Sequence, residues 1–229
     1  MMMYYVIIGA ATLVGMVISG RLKSKFKQYS RIPTSSGKTG AEVAMDMLRH
    51  YGVNDVQVKQ GKGMLTDHYN PLKKTISLSP EVYQGRHVSA AAVAAHECGH
   101  AVQHAQAYQM LKVRSALVPA VQFSTRIQQF LFMGFLMGAG LGSAVGGFLM
   151  IALVATFGIA ALFALVTLPV EFDASRRALV WLDDTGTTQG AEYDGAKDAL
   201  WWAAMTYVAS AMSALVMFLY FLLTFLGND

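Results

Sequence analysis

The chain has 229 residues, of which 54% are hydrophobic and 14% charged, with a mean hydropathy of +0.39. Soluble domains run nearer about 45–50% and about 25%, so composition excludes an ordinary soluble protein and fits a membrane protein. The net charge of +4 is too modest to call for a nucleic-acid partner, and the single cysteine, Cys98, excludes an intramolecular disulfide.

The run Met3–Gly20 is uncharged and about long enough to span a bilayer. No cationic segment precedes it, and Val17-Ile18-Ser19-Gly20 is a poor cleavage site. An uncleaved anchor over 1–20 is therefore expected rather than a signal peptide. Arg21, Lys23, Lys25, Lys27 and Arg31 follow with no acid among them. The positive-inside rule puts this end in the cytoplasm and the N-terminus outside.

Residues 32–88 read as the start of a small soluble unit. Val43, Ala44, Met47 and Leu48 predict a helix over Ala41–Tyr51, stopped at Gly52. A short strand is expected at Val56–Val58, a turn at Gly61–Gly63, and a second strand over Thr75–Ser79, where apolar and polar residues alternate. That second strand either offers an edge to an extended peptide or only covers the core. Ser79-Pro80-Glu81 reads as a cap followed by Pro at the first helical position.

The next helix is predicted from Ser89, as its cap, to about Tyr108. It contains His96-Glu97-Cys98-Gly99-His100, an HExxH pattern. Residues i and i+4 of a helix lie about 40° apart on one face, so both imidazoles can reach one metal ion. Zinc suits two imidazoles with a carboxylate and lowers the pKa of its water toward ~7. Glu97 stands next to His96, where it can take the proton from that water and pass it to a leaving amine. The competing reading is an ordinary helix with two surface histidines. The apolar, compact run Ala90–Ala95 argues against it, because it suits a buried helix, and buried histidines need partners. Cys98 points away from the histidines and is expected to be a small packing residue. His104 lies about 80° round the helix from His96 and is expected to be a polar neighbour rather than a ligand.

Lys112, Arg114 and Arg126 again mark a cytoplasmic membrane edge. Leu131–Val170 has no charged residue, and about 20 residues make one span, so a hairpin of two spans with a turn near Gly146-Gly147 is predicted. Glycines 134, 138, 142 and 146 form a small-residue face for helix packing. Two spans return Glu171 to the side of His96 and His100. In Glu171-Phe172-Asp173-Ala174-Ser175, a helix puts Glu171, Ala174, Ser175 and Ala178 on one face. A catalytic zinc takes three protein ligands and keeps one position open. Glu171 is the best third ligand, with a plain interfacial carboxylate as the alternative. Asp173 lies about 200° round the helix from Glu171 and can at most orient a ligand histidine from behind. Residues 181–198 read as a cytoplasmic connector, and 203–227 as a final span that begins at Trp201 and Trp202.

The elements Gly40-Ala41-Glu42-Val43-Ala44, Leu65-Thr66-Asp67-His68-Tyr69-Asn70-Pro71, Leu78-Ser79, Val93 through Ala101 and Glu171 through Ser175 resemble the YugP-like bacterial membrane zinc metallopeptidases over nearly the whole chain. That family is distantly similar to HtpX-type and CAAX-prenyl membrane proteases. The resemblance implies His96, His100 and Glu171 as ligands of one Zn2+ per chain and Glu97 as general base. Where the HtpX-type E-x-x-A-D pattern ends in an Asp that supports a ligand histidine, this chain has Ser175, which can still accept a hydrogen bond but brings no charge.

The expected protein is mainly α, with about four transmembrane helices and a small α+β zincin-like cytoplasmic unit. Its parts are an anchor (1–20), a metallopeptidase unit (21–129), a transmembrane hairpin (130–170), a segment with the third ligand (171–202) and a final span (203–229). The expected function is zinc-dependent hydrolysis of peptide bonds in a protein or peptide substrate, at the cytoplasmic face of a bacterial cell membrane. His68, Tyr69 and Arg177 are candidate donors to the transition-state oxyanion. The alternatives are a non-catalytic zinc scaffold and a site-2-type intramembrane protease. A membrane-protein partner or a homo-oligomer stays open.

Overall fold

A computed structural model of the chain describes residues 2–136 and 144–227. The element order is α1 (Met2–Tyr29), α2 (Gly40–His50), β1 (Gln57–Gln60), β2 (His68–Asn70), β3 (Thr75–Leu78), α3 (Pro80–Gln84), α4 (Val88–Ala105), α5 (Gln109–Leu136), α6 (Ala144–Asp184) and α7 (Ala191–Leu226). The protein is mainly α with a small α+β part, as composition and periodicity predict.

The chain forms two compact units. One comprises residues 1–16, 112–168 and 207–229; the other comprises 17–111 and 169–206. Among the described residues, α1, α6 and α7 are long and apolar enough to cross a membrane. The first span of the expected hairpin falls on the end of α5, which carries Lys112, Arg114 and Arg126 earlier in the helix and runs into residues that are not described. Gly146 and Gly147, near which a turn was expected, lie in the first turn of α6, and residues 137–143 before it are outside the described residues. Gly138 and Gly142 of the predicted packing face lie outside the described residues. In the first unit, Met150, Leu153, Met217 and Phe221 make a buried cluster. Phe157 stacks on Phe221 with centroids 4.8 Å apart, and Tyr4 on Phe132 at 5.2 Å.

The second unit holds everything else of interest. Helix α2 starts in a full capping box: the Thr39 side chain accepts from the Glu42 amide, and the Glu42 carboxylate accepts from the Thr39 amide. These bonds to Thr39 hold the Glu42 carboxyl below its usual range. Gly52, at φ 68°, ends the helix region as predicted.

The three strands run in the order β1-β3-β2, with β1 parallel and β2 antiparallel to β3. The strand at Thr75–Leu78 is therefore central and cannot offer an edge to a peptide; Ile76 and Leu78 are fully buried and serve the core. The edge on the α4 side of the question is β2, which the sequence pattern missed because its three residues carry too short an alternation to read. Ser79 does not cap α3 with its side chain. Its Oγ donates to Asp67 Oδ2 at 3.1 Å instead, and Pro80 still opens the helix.

Helix α4 is buried nearly all round. Ala90, Ala91, Ala92, Ala94, Ala95, Cys98, Ala101 and Val102 are all at most 1% exposed, and their small side chains let neighbouring elements approach closely. The cap is His87, whose ring nitrogen accepts from the Ala90 amide at 3.1 Å. Ser89 lies inside the helix and its hydroxyl contacts the same ring at 3.0 Å. The expected cap was two residues late, because a histidine ring can accept at that place as a serine does.

Candidate metal centre

Helix α4 carries His96 and His100 on one face, as the four-residue spacing requires. Their rings lie 4.8 Å apart, nearly perpendicular at 82°. Helix α6 continues through Pro169 without ending and brings Glu171 to the same point. Glu171 Oε2 is 3.3 Å from His96 Nε2 and 3.5 Å from His100 Nε2. The three donor atoms lie within 4.8 Å of one another. Glu171 is 2% exposed and His100 8%.

Close helix contact makes this possible. A Cβ built on Gly99 would stand 2.6 Å from the carbonyl oxygen of Ala174 and 3.0 Å from its Cα. Only glycine allows α4 to lie this near the backbone of α6 one turn beyond Glu171.

The rear of each histidine is held. His96 Nδ1 meets Ser175 Oγ at 3.1 Å. His100 Nδ1 donates to Gln103 Oε1 at 3.1 Å. Gln103 in turn donates to Val170 O at 2.8 Å and to Asp173 Oδ2 at 2.9 Å. Asp173 thus reaches His100 through Gln103, and its own charge is met by Arg176 and Arg177. Gln103 was missed in the sequence. Its signal was a polar residue one turn after His100 in a helix otherwise read as packed, and it is 0% exposed.

Burial pushes the His100 pKa down, but the Glu171 carboxylate, with further help from Glu97 and Gln103, outweighs this and leaves it raised. The donor set fits zinc: two imidazole nitrogens aimed by their rear hydrogen bonds, plus one buried carboxylate, leave a fourth position open. Glu97 is 8% exposed and acts electrostatically on His100, yet is not one of the three converging groups.

The other predicted residues have hydrogen-bond partners outside those three groups. The Tyr69 hydroxyl pairs with His104 Nδ1 at 2.8 Å, which gives His104 a partner other than the metal. Burial, and then Asp55, raises the Tyr69 pKa, so it stays a neutral phenol. His68 Nδ1 donates to Thr66 O at 2.8 Å. Arg177 Nε donates to Asp173, and its Nη1 to Gln106 Oε1 at 2.6 Å. Arg177 is therefore committed to joining α4 and α6.

Cys98 is fully buried, with Sγ donating to Ala44 O at 3.4 Å, and burial pushes its thiol well above the ordinary range. Native protein is expected to resist iodoacetamide at pH 8, with full alkylation after denaturation. Rapid native labelling would show that α4 and α2 are not packed this way.

The family model described as "Putative neutral zinc metallopeptidase" matches residues 4–226. The chain is also 41% identical over 211 residues to a Bacillus subtilis (strain 168) protein described as "Putative membrane protease YugP", covering 91% of each chain. No solved structure matches.

Proposed function

Because the chain belongs to the family of neutral zinc metallopeptidases, we propose that it is a membrane-embedded zinc endopeptidase, with its site on the cytoplasmic side of a bacterial cell membrane. The observation that carries this is the convergence of His96 Nε2, His100 Nε2 and Glu171 Oε2 within 4.8 Å. These three atoms would hold the ion. Zinc bound there supplies Lewis acidity to the scissile carbonyl and to the attacking water.

The chain's own groups do the rest. Ser175 and Gln103 keep both Nε2 atoms directed at the ion. The Glu97 carboxylate takes a proton from the water as its oxygen attacks the carbonyl carbon, then returns it to the departing amine nitrogen. That transfer cleaves the C–N bond and leaves Glu97 ionised again. His68, Tyr69 and Arg177 remain the candidate donors to the oxyanion, each with a hydrogen-bond partner of its own.

The orientation is supported by Arg21, Lys23, Lys25, Lys27 and Arg31, which lie in the same unit as the site. A site-2-type arrangement is not favoured, because α4 packs in the core of that unit and is not one of the long apolar helices.

Metal analysis of purified protein should give about one zinc per chain, together with cleavage of an unstructured protein substrate. A strong chelator should abolish that cleavage and added zinc restore it. Glu171→Gln should lose most of the zinc, since a neutral amide replaces the one anionic donor. Wild-type protein free of zinc after zinc-supplemented expression would sink the proposal.

A further inference from the structure

Behind His100 lies a side chain that none of the motifs includes. Gln103 is fully buried on α4, and its carboxamide makes three hydrogen bonds. The amide nitrogen has two partners that can only accept, the Val170 carbonyl at 2.8 Å and the Asp173 carboxylate at 2.9 Å. This settles which end of the amide is which: the nitrogen faces α6 and the oxygen faces His100. Since Oε1 can only accept, His100 Nδ1 must carry a hydrogen, which leaves Nε2 as the nitrogen able to offer a lone pair to an ion.

Asp173 is itself fixed by Arg176 and Arg177, so the amide cannot turn over without breaking that set. The contrast with His96 is informative. Its partner is the Ser175 hydroxyl, which can donate or accept and so leaves the ring's tautomer open.

We propose that Gln103 is the positioning residue of the metal centre. It locks His100 in the Nδ1–H tautomer and ties it to the turn of α6 that carries Glu171. The inference rests on His96, His100 and Glu171 being the zinc site. Val170 and Asp173 flank Glu171 in the chain, so one side chain sets the distance between two of the three donors before any ion arrives. A buried glutamine that merely satisfied its own polar atoms would not need to face a ligand histidine.

The test uses the full chain in lipid nanodiscs. Gln103→Met keeps the volume and removes all three bonds. Its zinc Kd, measured by competition with a chromophoric chelator, should rise about 10- to 100-fold, and the visible absorption of the cobalt-substituted protein should change. A Kd within twofold of wild type and an unchanged cobalt spectrum would overturn the proposal.

If that variant does not fold, the wild-type protein decides. With 15N-labelled histidine and zinc bound, the His100 ring should show a protonated Nδ1, and a bare Nδ1 would overturn the proposal. Wild type that binds no zinc refutes the metal site itself. Wild type that binds zinc while Gln103→Met matches it refutes only the role of Gln103.

Discussion

Glu97→Gln should abolish peptide cleavage while leaving zinc in place. The substitution keeps the shape of a side chain that is 8% exposed and does not belong to the three converging donors. What it removes is the ability to take a proton. General acid–base contributions run about 10²- to 10⁴-fold, so cleavage should fall at least about a hundredfold, with zinc still near one per chain. Three other outcomes would redirect the reading. Retained cleavage would mean that another group moves the proton. Loss of zinc would make Glu97 a ligand. Zinc in both proteins with cleavage in neither would favour a non-catalytic scaffold, the reading that best competes with a peptidase.

Gly99→Ala should disrupt the site by a purely steric route. The new methyl would stand 2.6 Å from the Ala174 carbonyl oxygen and 3.1 Å from its carbonyl carbon. Both are backbone atoms of a helix and cannot step aside as a side chain end would. The two helices must part. Overpacking of this kind costs roughly 1–3 kcal/mol, or a Tm lowered by roughly 2–4 °C per kcal/mol for a chain of this size. Glu171 lies one turn before Ala174, so zinc affinity should fall about tenfold or more as its carboxylate withdraws from the histidines. Gly20→Ala is the control: nothing lies within 4 Å of a Cβ there, and alanine favours a helix by about 1 kcal/mol. Equal melting temperatures and zinc affinities for Gly99→Ala and wild type would show that the contact between α4 and α6 is looser than described.

Some of this protein is local and therefore legible in the chain alone. The HExxH spacing places two imidazoles on one helical face by geometry that no neighbour can alter, and both rings do converge. Uncharged runs identify the long apolar helices, because solvation of charge depends on composition and not on fold. The N-terminal box of α2 was not read as a cap, but its helix was, from the periodicity of Val43, Ala44, Met47 and Leu48.

Other features were decided only when distant residues met. Three- and four-residue strands hold too little pattern to reveal their order, and β3 proved central where an edge had been weighed. A cap can be filled by any acceptor of the right reach, and His87 took the place expected for Ser89. Helix α6 passes through Pro169 without ending. Most of all, the supports of the metal donors join residues far apart in sequence. Ser175 lies 79 positions from His96, and Asp173 lies 70 from Gln103. The sequence by itself determined which groups could bind a metal, because ligand chemistry and helical spacing are properties of a few adjacent residues. The tertiary structure decided which groups aim them, because a hydrogen bond depends on atoms meeting at about 3 Å and no local pattern records that meeting.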